Sequence, residues 1–271
     1  MWFKDAEHFK SVSGHEVNGV WFPRVTKILD VKAKPALEFF LKEMESYSAA
    51  EDIKNKSAEE GSLVHSVVQK VAVNEPVEIP KEIEPAVEGF RKFSGEKNIF
   101  FHPDFVERSI WSEKNRYAGT VDALCTIGGK FGVLDIKTSP SFYPEYNLQT
   151  AAYFSALNEF EVKRALSLPR EVETRWILRI NQHKVCSKCG ATLREKGGRS
   201  KVRNGKSGTN GSRPKGVSPC KAEEHNWGKV TGDIELKEYP YYFKDVRAFL
   251  AAKTLWEWEN DYWLRQVGYL K

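Results

Sequence analysis

Two aspartates, Asp122 and Asp135, stand on either side of a Gly128-Gly129 pair, and Lys137 follows the second by two residues. The flanking runs YAGTVDALCTI and KFGVLDIKT are rich in β-branched and aromatic residues, so the glycine pair signals a two-residue hairpin. If Ile127 faces Lys130, then Asp122 faces Asp135, and like charges directly opposed on a sheet repel. Alternation puts Asp122, Leu124, Val133, Asp135 and Lys137 on one face, with Val121, Ala123, Cys125, Ile127, Leu134 and Ile136 on the other, a core face. Mg²⁺ or Mn²⁺ would relieve the repulsion, because such a cation takes one or two protein carboxylates and leaves positions open for substrate phosphate. The alternative is a structural salt-bridge cluster around Lys137, worth little by itself.

A second constellation is Cys186-Ser-Lys-Cys189-Gly, the turn of a zinc knuckle, with Cys220 and His225 to complete a tetrahedral Cys₃His set. His183 is the rival fourth ligand. Four protein ligands leave no open position, so the expected Zn²⁺ is structural. A disulfide is the weaker reading in a reducing compartment. A four-cysteine iron–sulfur cluster would need Cys125, which sits in a hairpin strand on the core side.

Between Arg194 and Lys215 lie eight basic residues and a single acid, Glu195, a local charge of +7 in a chain of net +5. This basic segment falls inside the zinc loop. We expect a flexible arm, with Lys201 and Arg203 among its contacts, that grips a phosphate backbone without reading sequence. A merely solvated loop is the alternative. The tryptophans could stack bases, but Trp256, Trp258 and Trp263 fall in an apolar helix and read as core.

These residues need elements to hold them. VWFPRVTKIL reads as extended and PALEFFLKEMESYSAA as helical. Ser57 and Glu60 fit a capping box that would start a new helix, whose Leu63, Val64, Val67, Val68 and Val71 form one stripe with His65 beside it. After a Pro- and Glu-rich connection at 74–85 come a short helix around VEGFRKF and a strand, HPDFVERSIW. A helix around EYNLQTAAYFSALNEF then precedes a strand ETRWILRINQHKV. Past the cysteine segment, a strand DIELKEY and a Trp-rich helix close the chain. This predicts residues 1–185 plus 229–271 as one domain, helical at its start to about residue 56, with 186–228 as a zinc-binding basic insertion.

The strings YAGTVDAL and GVLDIKT, flanked by GSLVH and LQTAAY in that order, resemble the PD-(D/E)xK nucleases, and among them the RecB-like exonuclease branch. The similarity spans roughly residues 20–180. It implies an α/β, restriction-endonuclease-like core, a central mixed sheet flanked by helices. It further implies that His65, Asp122, Asp135 and the Ile136 carbonyl hold the catalytic Mg²⁺ or Mn²⁺. Lys137 would orient or deprotonate the attacking water, and Gln149 and Tyr153 would position the nucleic acid. Several relatives have an acid where Glu107 stands, and no role is carried over to it. FPRVTKIL is similar to an opening segment of phage and bacterial members but departs from it at Arg24.

The implied activity is that of a metal-dependent DNA nuclease, most simply an exonuclease in replication, repair or recombination. Its partners would be single-stranded DNA or DNA with free ends, and a helicase or other replication or repair protein. A catalytically silent DNA-binding module of the same fold and an accessory nuclease of CRISPR adaptation are the alternatives. A composition of 41% hydrophobic and 29% charged residues excludes a disordered polyelectrolyte, and no apolar run approaches bilayer length. The N-terminal MWFKDAEHFK does not resemble a secretory signal, so the expected setting is the cytoplasm of a bacterial or phage-like system.

Overall fold

The computed structural model describes residues 3–204 and 220–271. Lys206, Arg213 and Lys215 of the basic arm lie outside them. The chain opens with α1 (Ala6–Ser13), β1 (Gly14–Val17), β2 (Val20–Pro23) and α2 (Val25–Ile28), followed by α3 (Pro35–Lys42), α4 (Tyr47–Ala72) and α5 (Glu84–Glu96). Next come β3 (Phe100–Ser112), β4 (Tyr117–Ile127), β5 (Lys130–Lys137), α6 (Pro144–Leu157) and α7 (Phe160–Ala165). The rest comprises β6 (Thr174–Cys186), β7 (Thr192–Lys196), β8 (Arg199–Arg203), β9 (Trp227–Glu238), α8 (Phe243–Glu259) and α9 (Asp261–Gln266). β1 and β2 pair only with each other, and the remaining strands form one mixed sheet.

That sheet is antiparallel from β3 to β5 and parallel between β5 and β6, with α6 and α7 in the crossover that a parallel pair requires. Helices cover both faces. On one side Leu124, Phe131 and Val133 pack with α1, α2, α6 and α8, through residues such as Phe9, Ile28, Phe154 and Phe249. On the other side Ala123, Cys125, Leu134 and Ile136 meet Val64, Val67 and Val68 of α4 and Val87 and Phe90 of α5. So the acid-bearing face is a second core. Val121 belongs to that core rather than to the one alternation assigned it, because the pairing around Asp122 is interrupted.

Three expectations fail locally. Val25–Ile28 is a helical turn, not extended: Pro23 ends β2, and the Lys27 and Ile28 N–H groups donate back to the Arg24 carbonyl. Ser57 does not start a helix either. α4 begins at Tyr47, where Ser46 Oγ accepts from the Ala49 N–H at 3.1 Å, and runs unbroken past Ser57. Trp256 is core, whereas Trp258 is 76% exposed.

Where a flexible arm is expected, residues 192–203 form the β7–β8 hairpin. β6 is paired along one edge by β9 and along the other by β5 as far as Arg179. β5 ends at Lys137, and β7 pairs with Lys184 and Val185 further along β6. Lys184 already pairs with Val230 of β9, so β7 must take the edge that β5 vacates. This carries the hairpin to the carboxyl end of β5, where open α/β sheets bind ligands.

Candidate active site and metal centre

The hairpin register is as the Gly-Gly turn predicts from Ile127↔Lys130 to Ala123↔Leu134, and it stops one step short of the two aspartates. Asp122 instead turns its Oδ2 to the Ile136 N–H, at 2.6 Å. On the facing strand Glu107 adopts φ +50°, a left-handed conformation that costs a non-glycine residue about 1–3 kcal/mol and concentrates at functional sites.

His65 comes to the aspartates from α4, with its Nδ1 3.7 Å from Asp122 Oδ2. Lys137 Nζ lies 2.9 Å from Asp135 Oδ2 and bonds Oδ1 at 3.2 Å. Oδ2 is buried and has no hydrogen bond beyond this ion pair. Lys137 also donates to Gln149 Oε1 at 3.1 Å, and Gln149 Nε2 donates to the Tyr153 hydroxyl at 3.1 Å. One turn of α6 thus carries the relay, as i, i+4 spacing requires. Tyr153 packs on Gly119, where any Cβ would come within 2.6 Å of its ring. The Ile136 side chain is in the core beneath α4, so only its backbone faces the acids.

Burial dominates the electrostatics. It pushes Asp122 up to about 6 against the opposing pull of Lys137 and the Ile136 N–H. Asp135 is likewise raised to about 6 by burial, with Asp122 adding to the rise and Lys137 opposing it. Burial, then Lys137, lowers His65 to about 4, so the imidazole is neutral with a lone pair free at pH 7. For Lys137, burial alone would lower the pKa, but Asp135 and Asp122 outweigh it and keep the ammonium charged.

Two buried acids held above their ordinary range beside a neutral imidazole fit a divalent cation. His65, Asp122 and Asp135 do not bring their ligand atoms into one compact shell. Among the described residues, only the cysteine group brings three or more ligand atoms all within 4.8 Å of one another.

Two residues that the sequence reading left unassigned join the site. Gln69 donates to Glu107 Oε1 at 2.5 Å, and both line a cleft of about 400 Å³ with His65 and Thr138. Gln69 sits one turn beyond His65, a spacing that could have flagged it. Lys201 and Arg203 lie further out. Lys201 faces Glu43 at 3.6 Å and Arg203 bonds the Pro140 carbonyl, both lining a basic groove of about 820 Å³ beneath α3.

Cys186, Cys189, Cys220 and His225 form the cluster just described, which can bind a metal ion such as Zn²⁺. Cys189 Sγ is 3.5 Å from His225 Nδ1, and the Asn226 N–H points at Cys186 Sγ from 3.4 Å. Burial raises Cys186, but His225 and the N–H groups of Cys189, Lys188 and Asn226 prevail and lower it to about 6. Cys220 rises to about 11, through burial and the two neighbouring sulfurs. His183 points elsewhere, 3.7 Å from Asp233, and Cys125 is buried in the sheet core. No four-cysteine group forms.

The chain matches no protein-family model, and no curated protein is significantly similar to it. No helix among the described residues is long and apolar enough to cross a membrane.

Proposed function

We propose that the protein is a Mg²⁺- or Mn²⁺-dependent deoxyribonuclease of the PD-(D/E)xK superfamily, RecB-like in kind and acting as an exonuclease. One observation carries this reading. His65, Asp122, Asp135, Lys137, Gln149 and Tyr153, which the resemblance singles out on four separate segments, meet at the carboxyl end of β5. A structural salt-bridge cluster alone would not call for a second buried acid, Asp122, and a neutral imidazole, His65, beside the Lys137–Asp135 pair.

His65, Asp122, Asp135 and the Ile136 carbonyl would hold the cation. A bound divalent ion would polarise the scissile phosphate and lower the pKa of a coordinated water. Lys137, held as an ammonium, orients the attacking water and screens the phosphate charge rather than taking a proton. Gln149 fixes Lys137 from behind, and Tyr153, which is buried and so out of reach of a strand, serves by anchoring Gln149 rather than by positioning the nucleic acid itself. DNA with free ends is the proposed substrate, with a helicase or other replication or repair protein as partner. The Cys₃His cluster is proposed to hold structural Zn²⁺.

The test is incubation of end-labelled single- and double-stranded DNA, linear and circular, with the zinc-loaded protein and Mg²⁺ or Mn²⁺. Linear DNA should be shortened from an end while circles persist. Cleavage of circles would replace the exonuclease with an endonuclease. Binding of DNA with no cleavage in either metal would leave a silent DNA-binding module.

A further inference from the structure

No described carboxylate comes within salt-bridge distance of Arg194 or Lys196, and Glu60 acts on both only from further off. Both cations lie on β7, partly buried, and line a cleft of about 320 Å³ together with His65, Lys137, Thr138 and Tyr146. No carboxylate is among the residues lining that cleft, and neither cation makes a salt bridge to any described residue. Their neighbours on the hairpin behave differently: Lys184 pairs with Glu195 at 2.8 Å and Arg199 with Glu43 at 2.7 Å. Burying two neighbouring cations with no direct ion pair is costly, and burial lowers the pKa of both, that of Lys196 to about 8, so an anion in the cleft would be favoured.

The donors that hold these side chains also leave some free. Lys196 gives two of its three N–H donors to the Thr138 carbonyl and hydroxyl, at 3.0 and 2.6 Å. Arg194 gives Nε to Asn181 at 2.7 Å and Nη2 to the Thr138 carbonyl at 2.9 Å, so most of its five N–H donors remain. Thr138 immediately follows Lys137. Both cations are therefore clamped to the residue next to the candidate catalytic lysine.

The hairpin is fixed at both ends. Its tip, Gly197-Gly198, docks on the middle of α4: the Gly197 N–H donates to Glu60 at 2.9 Å, and a Cβ at Gly197 would meet Ser57 Oγ at 2.1 Å. Its base leaves the Cys186–Cys189 turn of the Cys₃His cluster.

We propose that Arg194 and Lys196 form a second phosphate site, which holds a phosphodiester group of the strand next to the one at Asp122 and Asp135. The Cys₃His zinc, together with the Gly197 contact, keeps that site aligned over the cleft. The identity of the ligand as a nucleic-acid strand rests on the nuclease reading; the anion site itself does not.

The experiment uses full-length, zinc-loaded protein with Asp135→Asn to prevent turnover, and measures the affinity of a short labelled oligodeoxythymidylate across a salt series. Arg194→Met and Lys196→Met should each weaken binding about tenfold, the scale of one lost hydrogen bond to a charged group. Each should also flatten the plot of log affinity against log salt by about 0.7, the single-strand value for one contact. Lys92→Met, an exposed lysine of α5, controls for simple loss of charge and should change affinity less than twofold. Gly197→Ala should reproduce the loss while removing no charge, and Cys220→Ser should do so together with loss of zinc, with melting curves confirming that both are folded. With Asp135 restored, the Lys196 and Arg194 variants should show their effect in KM more than in kcat.

An unchanged salt slope in both Met variants overturns the site. Zinc loss with unchanged affinity overturns its coupling to the cluster. If wild type cleaves DNA but the slopes do not move, only this inference fails. If no DNA is cleaved while the slopes move as expected, the anion site stands and the nuclease reading fails.

Discussion

Burial fixes the protonation of the aspartate pair, and that makes metal binding a matter of competition with protons. Each folded-state pKa lies near 6, above the ordinary 3.8. In the metal-free protein the pair therefore contributes stability that is complete below about pH 4 and is lost as the pH rises through about 6. Above that the two carboxylates are ionised and repel. A divalent cation displaces the protons and reverses the cost. We predict that saturating Mn²⁺ raises the melting temperature by about 5 °C or more at pH 7.5, and that the gain shrinks below pH 6. Asp122→Asn should abolish the gain and melt higher than wild type in the absence of metal at pH 7.5. An equal Mn²⁺ shift in that variant would mean the ion binds elsewhere. At the same scale, Lys137→Met should lower turnover by about a thousandfold while DNA affinity changes little. Near-normal turnover in a steady-state assay would remove Lys137 from the chemistry.

The elements differ in how openly the sequence declares them. The β4–β5 hairpin was legible because a glycine pair, with φ +56° and +81°, separates two apolar strands whose register follows from the turn. The β7–β8 hairpin carries the same signal, Gly197-Gly198 at φ +62° and +76°. The sequence nonetheless points to a flexible arm, because TLREK and RSKVR are polar and show no buried alternation. The hairpin's order comes from the vacated edge of β6 and from contacts to Thr138 and Glu60, which no local pattern displays. The start of α4 departs from its sequence signal for the opposite reason. Ser57 and Glu60 match a capping box, but in the helix interior Glu60 reaches across to Gly197 instead of back to its own first turn. The two serines can be told apart by thermal unfolding: Ser46→Ala should cost about 1 kcal/mol as a lost cap, and Ser57→Ala less than about 0.5 kcal/mol. Equal losses would contradict the observed helix start. Glu107 and Gln69 were not legible as a pair, since a strand and a helix far apart in sequence bring them together.

Across the molecule, a helix–sheet–helix arrangement delivers each group of the site from a different direction. α4 brings His65, β4 and β5 bring the acids and lysine, and α6 brings Gln149 and Tyr153. Arg175 ties this frame together. Its fully buried guanidinium on β6 bonds the Asn147 carbonyl and Thr150 of α6, the Tyr241 carbonyl, and Asp245 of α8. Asp245→Ala should destabilise the fold by about 3 kcal/mol, because it strands a buried charge, and denaturant unfolding would measure it. The central claim is that His65, Asp122 and Asp135 bind the metal on which DNA cleavage depends. The most direct measurement is a crystal of the zinc-loaded protein soaked in Mn²⁺, with the ion located by its anomalous scattering. The account predicts a manganese peak bridging the Asp122 and Asp135 carboxylates beside His65, absent in Asp135→Asn, which should also have lost cleavage. Manganese bound elsewhere with that position vacant in wild type would contradict it.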